Sequence, residues 1–501
     1  MSGNGADDWG PVLADLERRR VAARSMGGED RLAKHRAAGK LDARSRIAHL
    51  LDPGSFLELG TLVGGEEAPA DAIVMGSGRV DGRPVMVAAE DFTVMAGTIS
   101  SAANAKRYRV AELAVLDRVP CVMMLEGAGF RADGKTHTRT PTDMIAQAAC
   151  SGRVPLVTAV LGASAGHGAL VAPISDFTVM SGHASVFAAG PPVVYESLGE
   201  KVTKEDLGGP GVAVPSGLIH NVAPDDAAAL DLVRAYLGYF PSSAWSYPAH
   251  DASGGDDGPR LVPELLDVVP RSGKRAYDMR QVVDLVFDEG SMFEVQPTYG
   301  RSMVTALCRL GGHPVAVVAN QPMVLAGSID AAAAEKGAHF ISVADSFHLP
   351  IILLSDNPGV LPGSGSEREA ILRAGARMYA AQAMATSPKI AITFRKAYGF
   401  GAMVMGKIPF DGQSGVFNFP GSTGGAMGAA AMARARNSGE DEAAVLRELE
   451  LEASYRSAES FGADELIDPR ELRNVLLHSV GRALHRRQEA PTPVARIGIV
   501  P

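Results

Sequence analysis

Two stretches of this chain offer backbone chemistry. Leu161-Gly-Ala-Ser-Ala-Gly-His-Gly-Ala-Leu170 and Phe394-Arg-Lys-Ala-Tyr-Gly-Phe-Gly-Ala-Met403 each lead from an apolar, strand-like run through glycines into a small-residue segment compatible with a helix. Amides at the start of such a segment have no acceptor within it and carry the positive end of its dipole. Glycine lets the backbone approach a ligand closely. Paired N–H groups aimed at one oxygen stabilise charge developing on a carbonyl, which is the work of an oxyanion hole. The candidate catalytic groups are therefore the amides around Gly166, His167 and Gly168, and around Gly399, Phe400 and Gly401. The imidazole of His167 is able to titrate near neutrality, but the position demands mainly its N–H.

A second turn in each half, Glu126-Gly-Ala-Gly-Phe-Arg131 and Asp356-Asn-Pro-Gly-Val-Leu361, supplies another wall, with Gly127, Ala128 and Gly129 as substrate-contacting positions. Single glycine turns also serve close packing, but four at matching places favour a site. Neither GxGxxG with an acidic ribose partner nor GxxxxGK[ST] is present, which argues against a nucleotide enzyme.

These turns recur because the chain repeats itself. RVDGRPVMVAAEDFTVMAGTISSAANAK from Arg79 aligns without a gap to RLGGHPVAVVANQPMVLAGSIDAAAAEK from Arg309. At a constant spacing of about 230 residues, Gly82 meets Gly312, Gly97 meets Gly327, Lys106 meets Lys336, Pro120 meets Pro350 and Gly129 meets Gly359. After a small shift, Gly166 and Gly168 meet Gly399 and Gly401. Each half reads as a β-branched strand (Val85 to Ala89; Val315 to Ala319), a Gly turn, an Ala-rich helix and a further buried strand. That grammar implies parallel βαβ units in an α/β fold. Residues 241–263, rich in Pro, Gly, Ser and Asp, read as a linker between domains spanning 1–240 and 264–501. Charged helical patterns cover 12–50 and 440–488.

Composition excludes several other classes. A length of 501 residues with 46% hydrophobic content suits two cores. The net charge of −9 argues against nucleic-acid binding as the main role, although a local basic patch for phosphates remains compatible with it. Cys121, Cys150 and Cys308 are too widely spaced for structural zinc and read as reduced thiols. The absence of a signal-like N-terminus and of a long apolar run gives the expectation of a cytoplasmic protein without membrane contact.

The chain resembles the carboxyltransferase β subunits of propionyl-CoA and related acyl-CoA carboxylases over nearly its whole length. The resemblance rests on Lys40 to Gly60, Asp91-Phe-Thr-Val-Met-Ala-Gly97, Gly162-Ala-Ser-Ala-Gly-His-Gly168 running to Asp176-Phe177, Asn320-Gln-Pro322, Asp356-Asn-Pro-Gly-Val-Leu-Pro-Gly363, Arg395-Lys-Ala-Tyr-Gly399 and Ile467-Asp-Pro-Arg470. It implies tandem duplicated crotonase-like (ClpP/crotonase) domains that move a carboxyl group from N1-carboxybiotin, on a separate carrier, to the α-carbon of an acyl-CoA. On this resemblance the first-domain turn holds the acyl-CoA carbonyl. The second-domain turn stabilises the ureido oxygen, and biotin itself takes the α-proton, so no protein base is required. His167 and Phe400 stand where the family commonly has glycine, and Met403 falls at a position that lines its acyl pocket.

The basic cluster Arg31, Lys34, Arg36, Lys40, Arg44 and Arg46, with Arg36 and Lys40 foremost, is the candidate site for the phosphates of coenzyme A. The chain has no Met-Lys-Met biotinylation sequence and no ATP-binding pattern. The resemblance therefore implies separate biotin carboxylase and biotin carboxyl carrier partners, a homohexamer and no metal in this subunit. Propionyl-CoA, acetyl-CoA or a longer acyl-CoA would be the acceptor. Three other readings share these motifs: a biotin-dependent acyl-CoA decarboxylase subunit, a non-catalytic structural paralogue, and a crotonase-type hydratase or isomerase with Glu126 as its carboxylate.

Overall fold

The computed structural model describes residues 8–131, 141–251, 253–256, 258–410, 412–487 and 493. The backbone separates into two compact units, one reaching Gly238 and one beginning at Tyr239. Among the described residues no helix is long and apolar enough to cross a membrane.

The first unit is built on an eight-stranded sheet: β1 (Leu57–Leu59), β2 (Ile73–Val80), β3 (Arg83–Glu90), β4 (Cys121–Gly127), β5 (Leu156–Ala165), β6 (Phe177–Ser181), β7 (Ser185–Phe187) and β8 (Asn221–Ala223). The second unit has β9 (Phe293–Val295), β10 (Met303–Leu310), β11 (His313–Asn320), β12 (Ile351–Asn357), β13 (Lys389–Tyr398), β14 (Gln413–Asn418), β15 (Thr423–Gly425) and β16 (Glu465–Leu466). The sheet orders are β1-β2-β3-β4-β5-β6-β8, with β7 beside β5, and β9-β10-β11-β12-β13-β14-β16, with β15 beside β13. In each sheet the first three strands are antiparallel and the rest parallel.

The duplication extends to register. Met86 to Ala89 pair with Cys121 to Met124, and Ala316 to Ala319 pair with Ile351 to Leu354, at the positions the sequence repeat brings together. A register shift interrupts β4 against β5 between Leu125 and Gly127, and β12 against β13 between Ser355 and Asn357. Both shifts fall just before the glycine turns, where a local kink re-aims the strand end. Strands β4 and β12 are buried along their whole length. Their Val, Ile, Leu and Met content is what a parallel sheet covered on both faces requires.

The helix after each β3-type strand is N-capped by a side chain. Ser100 caps Ser101–Asp117 and Asp330 caps Ala331–Ser346. Each helix then sends its repeated lysine into the unit. Lys106 donates to the carbonyls of Gly60 at 3.2 Å, Ala70 at 2.7 Å and Ile73. Lys336 donates to those of Gln296, Tyr299 and Met303 at 2.8, 2.9 and 2.8 Å. Burial pulls the ammonium of Lys106 down to about 8 and that of Lys336 to about 7, while the three carbonyls around each use every N–H the charged form has. A surface lysine could not do this: each one ties the connection between the first two strands of its sheet to the helix behind it.

The described residues of the stretch 241–263 pack as part of the second unit. Asp251 N donates to Gly312 O at 2.9 Å, Val262 N to Arg470 O at 2.8 Å, and the buried Arg473 to Gly258 O at 2.9 Å. Polar backbone supplies these bonds, which a purely compositional reading cannot see.

Replacing Lys336 by Met removes the donor shared by three carbonyls, of which that of Gln296 keeps only a 3.4 Å bond from Tyr299 N. We expect a loss of about 3 kcal/mol or more, read as a lower urea midpoint of the second unit, with Lys336→Arg milder than Lys336→Met.

Candidate active site

Strand β5 ends at Ala165 and the chain turns through Gly166, whose φ is +56°, into a tightly wound segment Gly166–Ile174. Strand β13 ends at Tyr398 and turns through Gly399, φ +53°, into the helix Gly399–Val404. A side chain is strained in that backbone region, and this is why glycine stands at both places. The predicted amides thus start short helical segments at the C-terminal ends of parallel strands, where open α/β sheets bind ligands. In the first unit Gly127 pairs with Ser164, and a Cβ on Gly129 would lie 2.9 Å from Ala165 O. The two predicted walls are therefore adjacent. Ala128 between them is exposed.

The His167 ring is held from below. Its Nε2 lies 2.5 Å from Oδ1 of Asp143, a fully buried carboxylate at the start of the helix Asp143–Cys150. Arg107 donates to Asp143 at 2.5 Å, to Glu90 at 2.6 Å and to Gly168 O at 3.2 Å. The other oxygen of Glu90 accepts the Glu126 N–H at 2.8 Å, and Gln147 adds a bond to Asp143 at 2.9 Å. One buried guanidinium thereby touches the first turn directly, its histidine through Asp143, and the second turn through Glu90.

The charges are set by this packing. Burial raises Glu90 to about 7 against the opposing charge of Arg107. Burial also pushes Asp143 upward, but the His167 hydrogen bond and the Arg107 charge outweigh it and bring the carboxyl to about 2.

The second unit departs from this pattern at the same place. The Phe400 ring packs against Gly375, where a Cβ would lie 2.8 Å from it, and tilts against Tyr379 with centroids 6.2 Å apart. Gly401 sits over Asn357, so that a Cβ there would meet Asn357 Oδ1 at 2.3 Å. Beside this helix opens a cavity of about 380 Å³ lined by Ala402, Met403, Lys407, Asn418, Ser422 and Gly424 among others. Met403 is 45% exposed. Burial lowers Lys407 to about 8, and Asn418 Oδ1 is buried without a hydrogen-bond partner among the described residues.

The basic cluster splits in two. Lys40 donates to Glu126 at 2.6 Å, Arg46 to Glu126 at 2.7 Å and to Asp226 at 2.8 Å, and Arg44 to Glu58 at 2.8 Å. These three face inward, because a buried carboxylate must be neutralised and Glu126 and Asp226 are both 1% exposed. Lys40 is thus a strut for Glu126, and the expectation of a phosphate contact moves off it. Arg31, Lys34 and Arg36 are exposed, with Arg36 paired to Asp42 at 2.7 Å. Glu126 carries two cations and sits under Gly162, which leaves it unavailable as the free carboxylate of a hydratase.

A family model described as the carboxyl transferase domain matches residues 34–497. The chain belongs to the carboxyl transferase family. It is 34% identical to the methylmalonyl-CoA carboxyltransferase 12S subunit of Propionibacterium freudenreichii subsp. shermanii over 96% of this chain and 95% of that one. It is 35% identical to the propionyl-CoA carboxylase carboxyltransferase subunit of Haloferax mediterranei, over 96% and 97%. The transcarboxylase 12S structure, a hexamer with methylmalonyl-coenzyme A and methylmalonic acid bound, superposes with a TM-score of 0.89 at 33% identity, covering 98% of each chain. The fold is thus the tandem α/β architecture expected from the repeat, and of the crotonase-like kind that the resemblance implied.

Sequence reasoning about this carboxyl transferase missed Glu90, Arg107 and Asp143. A signal existed: the repeat matches Lys106 to Lys336, but the next residue is Arg107 against Gly337, and Glu90 stands against Asn320. Charged residues introduced into one copy of a buried helix and strand demand partners.

Asp143 is held below its unfolded value of 3.8, so its contribution is complete above that value and is lost as pH falls toward about 2. Asp143→Asn should cost about 3 kcal/mol at neutral pH and should lack the part of the wild-type stability loss between about pH 4 and 2 that comes from this group. Urea denaturation of both proteins at pH 7 and 3 checks it.

Proposed function

We propose that the chain is the carboxyltransferase component of a biotin-dependent acyl-CoA carboxylase, carrying a carboxyl group from N1-carboxybiotin on a carrier protein to the α-carbon of an acyl-CoA. The observation that carries this reading is the pair of repeat-related turns, one at the end of β5 and one at the end of β13, each with a left-handed glycine ahead of amides that lack an acceptor in their own segment. A reaction in which charge develops on two different oxygens needs two such devices.

The first unit is assigned to the acyl-CoA. Amides of Gly166, His167 and Gly168 take the thioester oxygen as it gains enolate charge, and Gly127 to Gly129 wall the acyl end. The outward Arg31, Lys34 and Arg36 are assigned to the phosphates of coenzyme A. The second unit is assigned to biotin. The residues beside Gly399–Val404 fit a ureido ring: Asn418 Oδ1 is an orphaned acceptor for its N–H, and most of the wall is built of Ala, Ser and Gly. When bound, carboxybiotin supplies the carboxyl group and a ureido nitrogen able to accept the α-proton. The amides of Gly399, Phe400 and Gly401 would hold the ureido oxygen as it becomes negative.

Biotin carboxylase and a biotin carboxyl carrier protein are the proposed partners, since the donor must be made and delivered. A homohexamer is proposed on the likeness to transcarboxylase 12S. We assign the reaction to the cytoplasm, where CoA thioesters and carrier proteins meet. Propionyl-CoA, acetyl-CoA and longer acyl-CoAs are the acceptor class, and on the family resemblance Met403, exposed on the wall of the second-unit cavity, is proposed to meet the acyl end of an acyl-CoA held by the first unit of another copy in the hexamer and so to limit chain length.

The test supplies carboxylated carrier protein and a panel of acyl-CoAs and measures malonyl-type products. Transfer to at least one acceptor is expected, and none with a carrier competent toward another carboxyltransferase overturns the reading. Met403→Ala should shift kcat/KM toward longer acyl chains by about tenfold relative to wild type, a shift typical of a few methylenes in an apolar pocket.

A further inference from the structure

The His167 side chain has a geometry that an amide donor alone does not require. Its Nε2 is committed to a fully buried carboxylate at 2.5 Å, and that carboxylate is fixed in turn by Arg107 and Gln147. The ring is 30% exposed, and its Nδ1 has no partner among the described residues. A carboxylate that accepts from one ring nitrogen orients the imidazole, fixes its tautomer and stabilises the imidazolium formed when the other nitrogen takes a proton. Because ring and amide belong to one residue, an oxygen held by the His167 N–H lies within a few ångströms of Nδ1.

We propose that His167 Nδ1 is a proton carrier for the α-carbon of the bound acyl-CoA, giving this protein a biotin-independent α-proton exchange activity. The inference rests on the assignment of the thioester oxygen to the first-unit turn. In the forward step the Nδ1 lone pair takes the α-proton. The C–H pair becomes the C=C bond of the enolate and the carbonyl π pair moves onto the oxygen held by the amides. Nδ1 then returns a proton exchanged with solvent, the pairs move back, and the thioester is restored without oxidant or co-substrate.

The two units differ where this idea requires them to. The second-unit turn carries Phe400, whose ring packs on Gly375 and Tyr379 and can move no proton. The buried supports Arg107 and Asp143 stand beside the first-unit turn, where Arg107 also grips Gly168 O, and the repeat places Gly337 opposite Arg107 in the second unit.

Among the described residues, the charged groups against the Gly166–Ile174 segment are Asp143 from the helix Asp143–Cys150, Arg107 from the helix Ser101–Asp117, and Glu90 from β3, which holds the N–H of Glu126 on β4. Strands β5 and β7 bring none. Asp143 is ionised across the neutral range and so opposes the positive charge that forms on the ring when Nδ1 takes the proton.

The experiment incubates the full-length protein with propionyl-CoA in D2O without carrier or biotin and follows α-deuteration by mass spectrometry. Carboxyl transfer from carboxylated carrier is measured on the same preparation. Wild type should exchange above the buffer blank, His167→Gln should be slower by about 100-fold or more, and added imidazole should restore exchange to His167→Gly. Transfer without exchange in wild type overturns the inference and leaves the carboxyltransferase reading standing. Equal exchange in wild type and His167→Gln, both folded by circular dichroism, also overturns it. Absence of both exchange and transfer removes the assignment on which the inference rests, and the inference with it.

Discussion

A guanidinium buried without exposure cannot stand alone, and the arrangement of the first unit depends on how Arg107 is neutralised. Its partners are Glu90 and Asp143, at 2.6 and 2.5 Å. Removing either would strand a charge in a low-dielectric interior, at a cost of several kcal/mol. Each partner has a second job: Glu90 accepts the Glu126 amide, Asp143 the His167 ring, and Arg107 itself grips Gly168 O. An oxyanion hole works only if its donors are fixed before charge appears. For the oxyanion hole we propose in this unit, an ion triad does the fixing.

The second unit meets the same need with less charge. Asn320 replaces Glu90 and binds the Asp356 amide at 3.1 Å and Asn357 at 2.9 Å, while Phe400 is held by packing. The carboxylates ending β4 and β12 play parallel parts. Glu126 draws in Lys40 and Arg46 from the N-terminal segment. Asp356 takes Tyr277 at 2.9 Å and Arg395 at 2.7 Å, and Arg395 then collects the carbonyls of Ser272 and Arg275, both at 2.7 Å. In both units a strand-end carboxylate thus ties down the chain that precedes the sheet. Two copies of one scaffold keep the same turn while the supports diverge, as the proposed shared chemistry of the backbone amides would allow.

Much of the fold was legible in the residues. The repeat placed equivalent strands, turns and lysines at matching positions, and the structure gives both sheets one strand order and matching registers. Glycine was readable at Gly166 and Gly399 because a left-handed backbone favours no other residue. The roles of charged residues were not readable in the same way. Arg46 and Lys40 belong to a basic run in sequence, yet their partners Glu126 and Asp226 lie far along the chain.

The sequence by itself therefore determined the duplicated α/β architecture, the four turns and the class of chemistry, since periodicity, glycine placement and an internal repeat are local properties of the chain. Only the tertiary structure decided which cations are spent on burial and which remain outward, and which carboxylate stands behind His167. Those choices depend on groups distant in sequence meeting in a medium where an unpaired charge is costly.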